Sequence, residues 1–245
     1  DYYVLELSSF QLETTYALKA EVACILNVTE DHMDRYESLY GYQRAKQRIY
    51  RGCKSAVCNK QDILTAPLLP QGTPLNVFTA GSPDLKEFGL LADEGGYWLC
   101  RGVTKIVHSR DLTLAGTHNY ANVLAALAIM AQLGFDILSD TVIKTLSQFA
   151  GLPHRCQSVG EVKGVRYIND SKGTNVGATQ AALLGLGGAD KNIILIAGGD
   201  GKGADFSPLR PLVEKYVKSV FLFGKDAEPL YQALKGAADC TRLPT

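Results

Sequence analysis

The feature that most limits what this chain can fold into is its alternation of short apolar runs with helical stretches. Beyond residue 160 the pattern reads strand 165–168, helix 176–186, strand 192–197, helix 207–217, strand 219–223, helix 227–234. Strands separated by helices pair in parallel, because the chain must cross back over the sheet before starting the next strand. The start of the chain repeats the theme, with strands predicted at 2–7, 22–28 and 55–59 and a helix at 40–51. In that helix Tyr42, Ala45 and Ile49 recur at helical spacing and mark its buried stripe, leaving Lys46 on the flank.

Residues 60–110 are richer in Pro and Gly and carry short alternating stretches such as Tyr97-Trp98-Leu99-Cys100, which read as an antiparallel β insertion. A long helix at 119–133 is stopped by Gly134, and a shorter one follows at 139–149. Gly151 and Pro153 then interrupt the helical pattern, which places a domain boundary there. The fold class is α/β: a parallel-sheet central domain over 1–152, with its β insertion, and a second Rossmann-like domain over 153–245.

The 245 residues hold 25 basic and 25 acidic side chains, which removes the usual reason to expect a nucleic acid or an anionic membrane as partner. A small, locally steered ligand fits better. Six cysteines without a CxxC pair read as reduced thiols in a cytoplasmic protein. No stretch approaches the roughly 20 apolar residues of a membrane helix. The absence of a starting Met and the bare Arg242-Leu243-Pro244-Thr245 end suggest a piece of something longer.

Candidate chemistry gathers where strands give out, the edge at which open α/β sheets handle ligands. Glu6 ends the first apolar run, and His32 lies between Asp31 and Asp34 after the second. On neighbouring parallel strands a carboxylate and an imidazole could share Mg²⁺ or Mn²⁺, with a nearby carboxylate fixing the imidazole tautomer. Alternatively Glu6 caps a helix and His32 ends a loop. In Asn169-Asp170-Ser171-Lys172-Gly173-Thr174-Asn175, Asp170 suits a ribose or an amine and Lys172 a phosphate or carboxylate, against a helix start capped by Thr174 or Asn175.

In the loop Ala197-Gly198-Gly199-Asp200-Gly201-Lys202-Gly203-Ala204, Gly199, Gly201 and Ala204 loosely fit the dinucleotide pattern GxGxxG/A, but Ser207-Pro208 is the better helix start, so Lys202 reads as an anchor for a substrate carboxylate. No GxxxxGK[ST] phosphate loop occurs. Asn119 and Asn122 could grip an adenine or a phosphate, or serve as helix cap and surface residue. His154 and Arg155 could reach a nucleotide or pack a hinge. From composition alone Lys46 is a solvated helix lysine.

Seven ordered segments, LELSSFQLE, NVTEDHMDRY, QRAKQRIY, GTHNYANVLAA, GLPHR, NDSKGTN and GGDGKGADF, together resemble the Mur ligase family from Glu6 to about Phe206. The resemblance implies an ATPase-type central domain and ATP-dependent amide synthesis in cytoplasmic peptidoglycan assembly, by a monomer. ATP would phosphorylate UDP-muramoyl-L-alanine and the amine of D-glutamate would attack the acyl phosphate. It implies two Mg²⁺ ions held by Glu6, His32 and a carbamylated Lys46. It also implies Asn119, Asn122, Arg155 and Asp170 on ATP; Lys172, Thr174 and Lys202 toward D-glutamate; and Ser8 and Gln11 near the muramoyl substrate. Gly173 departs from the Ala usual in that motif. Without a phosphate loop, this chain alone is expected not to turn over ATP. Alternatives are a sister ligase resembling folylpolyglutamate synthase, a non-catalytic nucleotide-binding module, and a dehydrogenase built on the Gly199 loop.

Overall fold

A computed structural model describes residues 1–114 and 116–244. They form two compact units, one comprising 1–29 and 38–150, the other 30–37 and 151–245. The short stretch Glu30–Glu37 thus groups with the second unit, which the linear reading of the chain did not anticipate.

The first unit opens with a short helix α1 (Ser9–Glu13), then β1 (Val22–Ile25), α2 (Leu39–Gln47), β2 (Ser55–Asn59), β3 (Leu75–Phe78), β4 (Phe88–Asp93), β5 (Gly96–Arg101), β6 (Thr104–His108), α3 (Thr117–Gln132) and α4 (Asp140–Gln148). The six strands make one sheet in sequence order. β1 to β4 pair in parallel, while β4–β5 and β5–β6 are antiparallel. The stretch read as a β insertion therefore continues the main sheet. β2 lies between β1 and β3 and reads Ser-Ala-Val-Cys-Asn, buried through its first four residues, as a strand covered on both faces must be.

α3 lies against the sheet, sinking Val123, Leu124, Leu127 and Ala128 among Val57, Phe78, Phe88, Leu90 and Leu99. Its end is a Schellman motif: Phe135 N–H donates to the Met130 carbonyl and Gly134 N–H to that of Ala131, with Gly134 at φ 80°. Its start is Gly116 at φ 98°, so Asn119 sits inside the helix and is not its cap.

The strand predicted at 2–7 does not form. The segment is unpaired, with Tyr3 88% and Val4 98% exposed. An apolar run states a demand for burial, but a strand also needs a neighbouring backbone to bond, and no described strand lies alongside. The helix predicted at 40–51 ends at Gln47 and tightens into a 3-10 turn over Arg48–Tyr50.

The second unit holds an antiparallel hairpin, β7 (Gln157–Val162) and β8 (Val165–Asn169), then α5 (Val176–Leu186), β9 (Ile193–Gly198), α6 (Arg210–Tyr216), β10 (Val217–Phe223), α7 (Ala227–Leu234) and β11 (Asp239–Arg242). The hairpin turns on Lys163 and Gly164 at φ 52° and 77°, the left-handed pair a tight primed turn requires. β9, β10 and β11 form a parallel sheet in the order β11-β10-β9, with Val213, Val220, Leu222, Leu230 and Leu234 in its core. The predicted helix 207–217 is split: Pro208 and Pro211 have no N–H to donate, so a 3-10 turn over Ser207–Leu209 precedes a shorter α6. β7 and β11 were not foreseen, and β8, expected in the parallel sheet, pairs antiparallel with β7 instead, because a two-residue turn reverses the chain between them.

One buried hydroxyl ties the first unit's strands together. Tyr50 Oη accepts from Ile25 N at 3.0 Å and lies 3.1 Å from the Val57 carbonyl and 3.0 Å from that of Thr65. Burial, and then nearby Cys24, pushes this phenol well above the ordinary range, so it stays a neutral donor. Tyr50→Phe is expected to strand the Ile25 N–H and to lower the stability of the first unit by about 1–3 kcal/mol, read as an earlier urea midpoint at unchanged slope.

Candidate functional site

Both sheets present loops at the C-terminal ends of parallel strands, and the loops are held by specific side chains. After β1, Asn59 Nδ2 donates to the Leu26 carbonyl at 3.0 Å and Val28 N donates to Asp62 Oδ2 at 2.6 Å. Gln43 and Gln47 of α2 donate to the Leu64 carbonyl, Gln47 also to that of Ala66, fixing α2 against the 62–66 turn. Lys46 is half-buried in the last turn of α2, with Nζ 4.8 Å from the centre of the Tyr42 ring. That cation–π contact and partial burial set aside the reading of Lys46 as a fully solvated lysine.

Glu6 is exposed on the unpaired segment before α1. Ser8 and Gln11 form a capping box: Gln11 N donates to Ser8 Oγ at 3.2 Å and Ser8 N to Gln11 Oε1 at 2.9 Å. Asn119 is half-buried and Asn122 exposed, three residues apart on α3.

In the second unit the loop after β9 is clasped by the loop after β10. Gly201 N donates to Asp226 Oδ2 at 2.5 Å, Asp226 N to the Gly199 carbonyl at 3.0 Å, and Lys225 Nζ meets Asp200 Oδ2 at 2.9 Å. The backbones approach closely enough that a Cβ on Gly224, at φ 81°, would come 2.8 Å from Gly199 N. Lys225, and then the backbone N–H of Lys202, hold the Asp200 carboxyl below its usual range. The next helical turn starts only at Ser207, so the glycines do not open a helix and the dinucleotide geometry is not built.

Lys202, at φ 54°, points its ammonium at Asp31, with Nζ 3.8 Å from Oδ1. Asp31 Oδ1 accepts the His32 backbone N–H at 2.9 Å, and Asn175 Nδ2 donates to Oδ2 at 3.4 Å. Asn175 is the N-cap of α5, its Oδ1 accepting Ala178 N at 2.8 Å, which decides that cap against Thr174. The unit thus brings Asp31, His32, Asn175 and Lys202 together. His32 Nε2 is 3.8 Å from Asp31 Oδ2, beyond hydrogen-bond distance of that carboxylate. Asp31, Asn175 and Asp226 were absent from the sequence-predicted set. The acid–His–acid run around His32 pointed toward the first, and Gly224-Lys225-Asp226 at a strand end toward the last.

The NDSKGTN turn is wound on Asp170, whose Oδ1 accepts Cys156 N at 2.9 Å and whose carbonyl accepts Gly173 N at 2.8 Å. A Cβ at 173 would lie 2.6 Å from Asp170 Oδ2, so Ala here would require that carboxylate to turn. Lys172 N donates to the His154 carbonyl at 3.0 Å. Arg155, Lys172 and Thr174 are exposed. Among the described residues no group of three or more His, Cys, Asp or Glu side chains stands in ligating array. Glu6 and His32 are donor types that Mg²⁺ accepts, but the ion would draw most of its ligands from water and phosphate. Among the described residues no helix is long and apolar enough to cross a membrane.

Burial, followed by the charge and hydrogen bonding of Asp170, pushes the Cys156 thiol up to about 11. At pH 8 only about one thiol in a thousand is then ionised, and alkylation of Cys156 should run on the order of 100-fold slower than that of a free cysteine. Asp170→Asn should speed it, as followed by mass spectrometry of the peptide containing Cys156.

The family model for the Mur ligase middle domain matches residues 1–130, and that for the Mur ligase glutamate ligase domain matches 154–244. The UDP-N-acetylmuramoylalanine–D-glutamate ligase of Acinetobacter baylyi is 53% identical over 236 residues, covering 94% of this chain and 52% of the relative. The protein of that name from Pseudomonas aeruginosa is 48% identical, covering 99% of this chain and 54% of its own. The chain spans about half the length of these curated relatives. Among solved structures, MurF from Acinetobacter baumannii superposes with a TM-score of 0.70 at 21% identity, over 93% of this chain and 51% of that one. Folylpolyglutamate synthase from Thermotoga maritima does so at 0.55 and 15%, over 91% and 53%. These two likenesses concern the fold alone.

Proposed function

This chain belongs to the Mur ligase family, and we propose that it acts in the ATP-dependent joining of D-glutamate to UDP-N-acetylmuramoyl-L-alanine. The observation that carries this reading is the 48–53% identity to D-glutamate ligases over nearly the whole chain. The setting is cytoplasmic peptidoglycan synthesis, and with it cell shape and division, by a monomer.

In this reading the γ-phosphoryl group of ATP passes to the muramoyl-alanine carboxylate, and the amine of D-glutamate attacks the acyl phosphate. The tetrahedral adduct then expels inorganic phosphate. Such chemistry depends on positioning and on charge stabilisation more than on a strong nucleophile from the protein. Asn119, Asn122, Arg155 and Asp170 hold ATP, with Asp170 on the ribose. Ser8 and Gln11 lie near the muramoyl substrate. Lys172, Thr174 and Lys202 receive D-glutamate, and the clasp from Asp226 and Asp200 keeps the Lys202 backbone in place before substrate arrives.

Glu6, His32 and Lys46 would hold Mg²⁺, Lys46 after carbamylation has turned its ammonium into an anionic oxygen donor. When bound, Mg²⁺ offsets the charge of the phosphates. Lacking a GxxxxGK[ST] loop, residues 1–245 by themselves should release no phosphate.

Phosphate release from ATP by the protein expressed from its complete coding region, with UDP-muramoyl-L-alanine present, should be triggered by D-glutamate. Release triggered instead by L-glutamate on a folate acceptor would replace this reading with the folylpolyglutamate one. Lys202→Met should raise the KM for D-glutamate about 10- to 100-fold, as expected for losing a charge-assisted hydrogen bond, and leave the KM for ATP nearly unchanged.

A further inference from the structure

We propose that Asp31 receives the ammonium group of the amino-acid substrate while Lys202 holds its carboxylate. The assignment rests on the amino-acid-accepting role given above to the Lys202 loop. Asp31 Oδ1 and Lys202 Nζ face each other at 3.8 Å, with the two side chains 19% and 41% exposed. That separation exceeds the roughly 2.7–2.9 Å of a charge-assisted hydrogen bond, so the two charges attract without a direct hydrogen bond and each can still take a ligand partner. A zwitterion carries the complementary pair, and an amino acid lying alongside both would meet the cation with its carboxylate and the anion with its ammonium.

Two other carboxylates around the glycine loop serve the loop itself. Asp200 accepts Lys202 N on Oδ1 and pairs with Lys225 through Oδ2, and Asp226 closes on Gly201 N. Asp31 serves no loop amide of that clasp and keeps capacity of its own. Its Oδ1 accepts the His32 N–H at 2.9 Å, but Oδ2 has only Asn175 Nδ2 at 3.4 Å and His32 Nε2 at 3.8 Å. A carboxylate can accept about four hydrogen bonds, so room for an ammonium remains. The lysine alongside argues against a divalent cation on this carboxylate, because like charges at such range repel. Finally, His32 and Lys202, the residues that place the pair, both hold left-handed backbone at φ 57° and 54°, a conformation uncommon outside glycine and costly enough to need support from its surroundings.

The test uses Asp31→Asn, which keeps the shape and removes the charge, in the protein expressed from its complete coding region. The KM for D-glutamate should rise about 10-fold or more, with the KM for ATP within about 2-fold of wild type. Glutarate, which is D-glutamate without its amine, supplies the decisive arm. Its inhibition constant should stay within about 2-fold in Asp31→Asn and be lost in Lys202→Met. If glutarate and D-glutamate weaken together in Asp31→Asn, Asp31 only positions Lys202 and the proposal is wrong; it is equally wrong if neither moves. Should Asp31→Asn fail to fold, wild-type protein decides: glutarate binding as tightly as D-glutamate means that no group receives the ammonium. A wild type that accepts a different amino acid would refute the D-glutamate reading, and the same comparison with that amino acid and its deaminated analogue would still judge Asp31.

Discussion

Parallel pairing is the constraint on which the rest depends. When neighbouring strands run the same way, the loops that leave their C-terminal ends emerge side by side, however distant they are in sequence. β9 and β10 show the result: Asp226, at the start of α7, reaches the Gly201 amide in the loop after β9 at 2.5 Å. The same topology lets Asn59, at the end of β2, hold the Leu26 carbonyl just beyond β1. Reactive side chains on such loops inherit a fixed backbone, which is what positioning chemistry requires.

The two units meet this constraint differently. In the first, a long apolar helix covers the sheet and the strand-end loop is pinned from the neighbouring strand and the turn after it. In the second, the loops pin each other through short charged and backbone contacts, and the sheet core is built from fewer, smaller residues. Lys202 is therefore held twice, at its backbone by Asp200 and at its ammonium by the field of Asp31.

Elements whose signal is local were legible in the sequence. β2, α5 and α7 fall where the apolar pattern put them, and Gly134 ends α3 as a left-handed cap. Residues 2–7 misled because apolarity measures the wish to be buried and says nothing of which backbone will pair. The split of 207–217 followed from two prolines that the periodicity outweighed. The contacts of Asp31 were beyond reach: it meets an asparagine 144 residues away, and no local pattern encodes that meeting. The proposal for Lys46 rests on motif resemblance alone, since a flanking lysine on an amphipathic helix otherwise looks ordinary.

Gly224 ties the fate of one strand-end loop to that of its neighbour. A Cβ there would come 2.8 Å from Gly199 N, so a side chain cannot be added after β10 without displacing the loop after β9. The two loops can drift in sequence only as a matched pair.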